Sequence, residues 1–164
     1  MTSQQNIKVL EDLSEQWNRS PLRPDGKNHF DDQTFARKVF WCVWELYEGV
    51  ECDGLGLYFY NEADSAKFAT TALTEIGAFR TLNIVNRAAE MVFPEGFPET
   101  EDEMRGHVEL AYLFENSAAS QALREGLNEL YEPFDAASLE LVGLLYDFVL
   151  KHPKEFGVTP PAPN

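Results

Sequence analysis

The densest group of side chains capable of chemistry lies between residues 45 and 64, where six acids occur without a lysine or arginine. They are Glu45, Glu48, Glu51, Asp53, Glu62 and Asp64. Closely spaced carboxyl groups can act as a general acid and a general base, bind a divalent cation, or form a negative surface that contacts a basic protein. The rest of the chain decides which of these three uses is favoured.

Catalysis and metal binding are the less favoured uses. A chain with 28 acids contains neighbouring carboxyl groups by chance, and a catalytic pair is recognised only by its geometry and shifted pKa values. The segment ECDGLG lacks the alternating oxygen ligands and the final glutamate of a calcium-binding loop. His29, His107 and His152 have no partner at metal-ligand spacing. We therefore predict no enzyme activity, no catalytic residue, no metal and no cofactor.

The charge of the chain favours a basic protein as its partner. The 164 residues include 28 acids and 13 basic residues, which gives a net charge of −15. Such an excess disfavours nucleic acid and anionic membranes as direct partners. Two cysteines do not form a disulfide framework, and the first residues lack the pattern of a signal peptide. We expect a soluble protein of the cytoplasm.

The acids are grouped in three stretches that contain no basic residue. Residues 39–66, 88–104 and 125–150 hold six acids each, which is 18 of the 28. Glu125, Glu129 and Glu132 occur at i, i+4 and i+7, a spacing that predicts one face of a helix. Like charges at this spacing destabilise a helix by roughly 0.2–0.5 kcal/mol per pair. The stretches are either an ordinary solvated surface or, if they converge, a surface that attracts basic proteins.

The apolar periodicity predicts an all-α fold. Residues 1–156 are expected to form a single compact domain of six to eight helices, followed by a flexible, proline-rich tail at 157–164. Tyr58, Phe59 and Tyr60 fit either a strand or a buried helical turn. The helical pattern covers approximately 7–17, 35–49, 64–77, 82–92, 104–112, 123–131 and 141–149.

Four segments carry a resemblance to a known family. They are DGLGLYFYN (53–61), ALTEIGA (72–78), AAEMVFP (88–94) and YDFVLKHPKEF (146–156). In this order they resemble a family of small acidic bacterial proteins, formerly a domain of unknown function, of which one member is described as a DNA mimic that occupies a helix-turn-helix transcription factor. The resemblance covers roughly residues 35–156. It implies an all-helical homodimer whose carboxylates take the place of DNA phosphates.

The chain departs from the family pattern near its central glycine. Glu51, Cys52 and Asp53 stand where the family tends to Asn-Asn-Gly, and Leu57 replaces the usual glutamine. These differences exchange neutral amides for carboxylates and add to the negative charge. The segment is therefore interpreted as surface charge around a structural turn, and no active site is predicted there.

These observations favour a protein that binds the DNA-binding surface of a transcription factor and blocks its access to DNA. The residues expected to mimic phosphates are Glu45, Glu48, Glu51, Asp53, Glu62 and Asp64, followed by Glu125, Glu129 and Glu132. Two alternatives stay open: an antagonist of another basic protein, such as a nuclease or a toxin, and an uncharacterised enzyme.

Overall fold

Helices follow the apolar periodicity of the chain over nearly all of the residues that can be described. The computed structural model describes residues 3–18, 30–114 and 116–158, with the side chains of all but 17, 18 and 114. The loop predicted around 21–26 and most of the tail predicted at 157–164 lie outside these ranges. Within them there is no strand. The predicted all-α fold is therefore confirmed.

Seven of the described helices have eight residues or more, which agrees with the expected six to eight. Short elements join them: a 3₁₀ turn at Phe30–Asp32 and a π-helical segment at Glu109–Phe114. The α-helices are α1 Ser3–Asn18, α2 Phe35–Asn61, α3 Ala63–Ala66, α4 Ala69–Ile76, α5 Phe79–Val92, α6 Glu101–Val108, α7 Ala118–Asn128, α8 Tyr131–Lys151 and α9 Pro153–Phe156.

Helix α2 lies at the centre of a single hydrophobic core and packs against α3, α4, α6 and α8. Its apolar side chains are among the largest fully buried ones, with Phe40, Tyr58 and Phe59 no more than 1% exposed. Phe40 also stacks on Trp44, with ring centroids 6.5 Å apart. Burying aromatic side chains of this size contributes strongly to stability, so the position of α2 is fixed by its neighbours.

The course of α2 differs from the prediction. The helix expected to end at Gly49 continues, and the break falls at Gly54, whose φ of 80° and ψ of 169° are not helical. This backbone conformation is open to glycine because it has no Cβ. Gly56 is helical, and the ring of Tyr112 occupies the space that a Cβ at this position would need. The helix resumes after Gly54, so Tyr58–Tyr60 form helix and not strand.

Two helix boundaries depend on features that apolar spacing does not show. Thr34 caps the start of α2, because its side chain accepts a hydrogen bond from the Arg37 amide. Helix α7 ends at Asn128, and Tyr131 begins α8. Apolar residues on both sides of this junction keep the same spacing, so their periodicity does not reveal that the chain passes from one helix to the next.

A candidate acidic surface for protein binding

The chain reverses direction at Gly54 and folds the second half of α2 back along the first. The Cys42 thiol donates a hydrogen bond of 3.4 Å to the carbonyl oxygen of Ser65. In a straight helix these residues would lie roughly 35 Å apart, because the rise is 1.5 Å per residue. A Cβ built on Gly49 would lie 3.5 Å from the Tyr58 ring. The two halves of α2 therefore form a helical hairpin, which we call the Gly54 hairpin (residues 35–66).

The hairpin brings the carboxyl groups of Glu45 and Glu62 together, although 16 residues separate them in the sequence. The two carboxyl groups lie close enough to act on each other's pKa, and both side chains are only partly exposed. Burial, followed by repulsion from Glu62, Glu48 and Asp64, raises the pKa of Glu45 to about 8. Burial and the charge of Asp64 raise the pKa of Glu62 to about 7. With both pKa values at or above 7, the pair is partly protonated at neutral pH.

Glu48, Glu51 and Asp53 lie in the first half of the hairpin and are exposed to solvent. No basic side chain among the described residues lies within ion-pairing distance of any of the three. Asp53 accepts a hydrogen bond of 3.2 Å from the Asn61 amide, which links the two halves of the hairpin near its turn. These three carboxylates present unpaired negative charge to an approaching protein.

Acids from other helices extend this negative surface. Burial, and then the charge of Glu101 at the start of α6, raise the pKa of Asp64. Partial burial and the charge of Glu11 in α1 raise the pKa of Glu48. Each of these shifts requires the interacting carboxyl groups to lie close together. We call the combined set, Glu11, Glu45, Glu48, Glu51, Asp53, Glu62, Asp64 and Glu101, the hairpin acidic surface.

One arginine lies at the edge of the hairpin acidic surface. Arg105 donates hydrogen bonds to the Tyr60 carbonyl oxygen at 3.3 Å and to Glu101 at 3.4 Å. Its charge lowers the pKa values of Glu62 and Asp64, but less than burial and repulsion raise them. The arginine therefore moderates the negative potential of the surface without cancelling it.

The three later candidates have a different setting. Glu125, Glu129 and Glu132 are all exposed, and Glu125 accepts a hydrogen bond of 3.1 Å from Gln121. Glu129 follows the last residue of α7, whereas Glu132 belongs to the first turn of α8. The prediction that they share one face of a single helix is wrong, because the helix ends between them. We call these three residues the α7–α8 corner.

The second acid-rich stretch has a structural role at the start of α6. Thr100 and Glu103 form a reciprocal capping box, in which the Glu103 amide donates to the Thr100 hydroxyl at 3.2 Å and the Thr100 amide donates to the Glu103 carboxylate at 3.0 Å. Acids in the first turn of a helix also interact favourably with its dipole. Local helix formation therefore accounts for part of this stretch.

A cleft of about 320 Å³ lies beside Asp64, between the 3₁₀ turn, α2, α3 and α6. Its two lysines already have partners: Lys38 pairs with Asp31 at 3.6 Å, and Lys67 donates to the Glu99 carbonyl oxygen at 2.6 Å. The cleft thus carries mixed charge. Asp53, Tyr58 and Asn61 are not among the residues that line it.

Two further findings concern the described part of the chain only. Within it, no group of three histidine, cysteine or acidic side chains is arranged to hold a metal ion. None of its helices combines the length and the apolar character that crossing a membrane requires.

Comparison with known families identifies the relationship of the chain. The family model described as DMP19-like protein matches residues 31–152, which is 122 of the 164 residues and includes all nine predicted contact residues. The chain belongs to the DMP19-like family. No curated protein matches this DMP19-like protein, and no solved structure matches it. The family resemblance expected at 35–156 is confirmed with slightly different limits.

The structure adds residues to the site that were not selected from the sequence. Glu11 and Glu101 join the hairpin acidic surface from α1 and α6. Tyr58, whose hydroxyl is fully buried, lies close enough to Glu45 and Glu62 for their charges to act on it. Glu11 and Glu101 are distant in sequence from residues 45–64, so no local spacing could have grouped them with these acids. The absence of basic residues between 39 and 66 was the one sequence signal that pointed to this region.

Proposed function

We propose that this DMP19-like protein is an acidic DNA mimic that binds the DNA-binding surface of a transcription factor and blocks its access to DNA. The observation that supports the proposal best is the convergence of carboxyl groups from four helical elements on the Gly54 hairpin. Repulsion between like charges lowers the free energy of unfolding. A fold that nevertheless brings many carboxyl groups together is therefore best explained by a role of these groups in binding.

The spacing of the exposed acids suits a surface that normally binds DNA. Glu48 and Glu51 are three residues apart on a helix, which is about 4.5 Å along its axis. One strand of DNA carries a phosphate about every 3.4 Å of axis, so the two spacings are of the same order. The helix is anchored in the core, and carboxylates on a rigid scaffold lose less conformational entropy on binding than those of a flexible chain.

A homodimer is part of the proposal. Two copies of the hairpin acidic surface would match the two-fold symmetry of many helix-turn-helix repressors. Phe79 and Leu139 are 60% and 62% exposed and lie next to the Arg80–Glu140 ion pair, which joins α5 to α8. This partly apolar patch is a candidate for the contact between copies. Light scattering at micromolar concentration tests it: twice the chain mass is expected, and a monomer mass contradicts dimerisation.

The function is tested by capture from a lysate of the source cells. Immobilised protein is exposed to lysate at low salt, and bound proteins are eluted with duplex DNA. We expect release of a helix-turn-helix or other DNA-binding protein, because DNA and the acidic surface compete for one basic site. The E48K/E51K/D53K variant should capture none of it, and the E125K/E129K/E132K variant serves as the control with the same change in charge.

The same experiment addresses the alternative functions. A basic partner that duplex DNA does not displace would contradict the DNA-mimic proposal and favour an antagonist of a nuclease, a toxin or another basic protein. The proposal assigns the chain no catalytic role. Capture of no protein would favour the remaining alternative, an uncharacterised enzyme.

A further inference from the structure

The cleft beside Asp64 combines aromatic rings with charged groups of both signs. It is formed by the 3₁₀ turn, α2, α3, the residues before α6 and the start of α6. Among the described residues, four acids and two lysines line it, so the acids are in excess. Two of these acids, Asp64 and Glu101, also belong to the hairpin acidic surface. The cleft is therefore a concave extension of that surface.

One part of the cleft already holds a cation. The Lys38 ammonium lies 5.2 Å from the centre of the Phe30 ring and 3.6 Å from the Asp31 carboxylate. A positive charge within about 6 Å of an aromatic ring, over its face, is attracted by the electrons of the ring. Lys38 therefore shows, within the chain itself, how a ring and a carboxylate of this cleft hold a basic side chain.

The cleft contains a second ring and a second carboxylate of the same kinds. Phe68 is only partly buried, and its ring meets the Phe30 ring edge to face, with centroids 5.6 Å apart. Asp64 forms no ion pair with a basic side chain of the described residues. Lys67 donates its hydrogen bond of 2.6 Å to the Glu99 carbonyl oxygen instead. Phe68 and Asp64 thus lack the paired lysine that Phe30 and Asp31 have.

Glu101 contributes a further acid from another helix. Asp64 belongs to α3 and Glu101 to α6, and both line the cleft. Arg105 pairs with Glu101 at 3.4 Å and with Asp102 at 3.8 Å, but it is not among the described residues that line the cleft. A cation that enters the cleft therefore meets two carboxylates on separate elements, and its charge reduces the repulsion between them.

We propose that the cleft beside Asp64 is the binding site for one arginine side chain of the basic partner, with its guanidinium placed between Asp64, Glu101 and the Phe68 ring. The inference rests on the proposed binding of a basic protein and specifies one contact of that complex. It adds a ring and a concave shape to a surface that otherwise acts through exposed charge.

Arginine is the side chain that fits these groups. Its planar guanidinium stacks on aromatic rings and presents several N–H donors in a fork, so it can bridge two carboxylates. Lysine offers one compact, strongly hydrated ammonium group, which suits a ring with two acids less well. Arginine side chains that fill a pocket are frequent among the residues that dominate binding energy.

A small arginine derivative tests the site on the full chain. N-acetylarginine amide is titrated while the backbone amides are followed by proton–nitrogen NMR. We expect saturable shifts of the amides that line the cleft, with a Kd of about 1–10 mM. N-acetyllysine amide should bind at least about threefold more weakly. N-acetylcitrulline amide has nearly the same shape without the charge, and should not shift these amides.

Replacing the ring separates a built site from general attraction to acids. Phe68→Leu leaves the net charge at −15, so attraction to charge alone would be the same in this variant. We expect its binding of N-acetylarginine amide to be at least about threefold weaker than that of the wild type. Phe79→Leu is the matched control, because Phe79 is an exposed ring of α5 outside the cleft, and should bind like the wild type.

Replacing the acid gives a second test with an exposed residue. Asp64→Asn keeps the shape of the side chain and removes one charge, and should weaken binding at least about fivefold. Glu125→Gln removes one charge from the α7–α8 corner and should change the Kd by less than about twofold. Equal Kd values for these two variants, binding of the citrulline derivative, or the absence of saturable shifts in the cleft would each overturn the inference.

The outcome can be told apart from that of the proposed function. Binding of N-acetylarginine amide in the cleft, together with a captured protein that DNA does not displace, would support this inference and contradict the DNA-mimic proposal. Capture of a DNA-displaceable protein at the same level by the wild type and by Asp64→Asn, without binding of N-acetylarginine amide in the cleft, would have the opposite meaning.

Discussion

The acids of the Gly54 hairpin and those of the α7–α8 corner both belong to stretches that contain no basic residue, 39–66 and 125–150, but the fold treats them differently. In the hairpin, Glu45 and Glu62 are partly buried and held together, and their pKa values are raised by burial and by repulsion. At the corner, Glu125, Glu129 and Glu132 extend into solvent from two helices and make mainly local contacts.

The difference teaches that the number of acids in a stretch says little about its electrostatic effect. Exposed charges interact weakly because water has a high dielectric constant and salt screens them over about 10 Å at 0.1 M, so the exposed acids of the corner act on one another only weakly. Acids that share a partly desolvated site act on one another strongly. The hairpin therefore concentrates potential, whereas the corner adds to the net charge and to solubility.

The largest expected difference between the two regions is in partner binding. Reversing Glu48, Glu51 and Asp53 to lysine should weaken binding of the captured partner by at least about hundredfold, because like charges then face each other. Reversing Glu125, Glu129 and Glu132 should change it by less than about tenfold through the net charge alone. Surface plasmon resonance at two salt concentrations measures both. Equal losses from the two variants would abolish the distinction between the regions.

Adding a single methyl group at Gly54, where the hairpin turns, should lower the stability of the protein. Gly54→Ala is expected to destabilise the protein by about 2–3 kcal/mol, because φ of 80° with ψ of 169° is costly for any residue with a Cβ. No atom lies within 4 Å of the added Cβ, so this cost comes from the backbone and not from a clash. Denaturant unfolding followed by circular dichroism measures it.

Two other glycines control for that substitution. Gly77→Ala should cost about 1 kcal/mol, because Gly77 has a left-handed conformation at the end of α4 that other residues tolerate better. Gly143→Ala, inside α8 and with free space around its Cβ, should stabilise the protein by up to about 1 kcal/mol. A Gly54→Ala variant as stable as the wild type would show that the reversal does not depend on glycine.

The buried pair should make stability depend on pH in an unusual direction. The pKa of Glu45 is about 8 in the folded protein against 4.5 for an ordinary glutamate. Between pH 4.5 and pH 8 the folded chain therefore binds more protons than the unfolded chain. Proton binding at Glu45 stabilises the fold fully below pH 4.5, and this stabilisation is lost as the pH rises through 8. From pH 5.5 to 8.5 the wild type should lose about 1–2 kcal/mol that Glu45→Gln does not lose.

Thermal unfolding at several pH values tests this dependence. Glu45→Gln keeps a hydrogen-bond donor for Glu62 and removes the second charge, so it should be close to the wild type at pH 5.5 and more stable at pH 8.5. A wild type that becomes more stable over this range relative to the variant would contradict the raised pKa of Glu45.

The smallest effect is expected at the corner. Glu125→Gln should change the free energy of unfolding by no more than about 0.5 kcal/mol, with no added pH dependence between 5.5 and 8.5. Its contact with Gln121 is an exposed i,i+4 pair, and such pairs contribute a few tenths of a kcal/mol. A larger effect, measured by the same thermal unfolding, would mean that the corner is coupled to the core.

Much of the fold could be predicted because it depends on local patterns. The apolar residues of α5 and α8 recur at helical spacing, and Pro94 is the second residue after the end of α5. Tyr58, Phe59 and Tyr60 fitted either a strand or a buried helical turn, and the structure shows helix with Tyr58 and Phe59 fully buried. The boundaries around Gly49 and Asn128 were missed, because a glycine inside a helix and a change of helix with unbroken periodicity leave no distinct local signal.

The amino-acid sequence by itself determined the charge, the helical class and the acid-rich segment around Gly54. Each of these follows from residue types and from spacing within one helix. Only the tertiary structure decided that Glu45 meets Glu62 and that Glu11 and Glu101 lie on the same surface. Such contacts depend on the direction that the chain takes after Gly54 and on how α1 and α6 pack against α2. They therefore exist only once the core has formed.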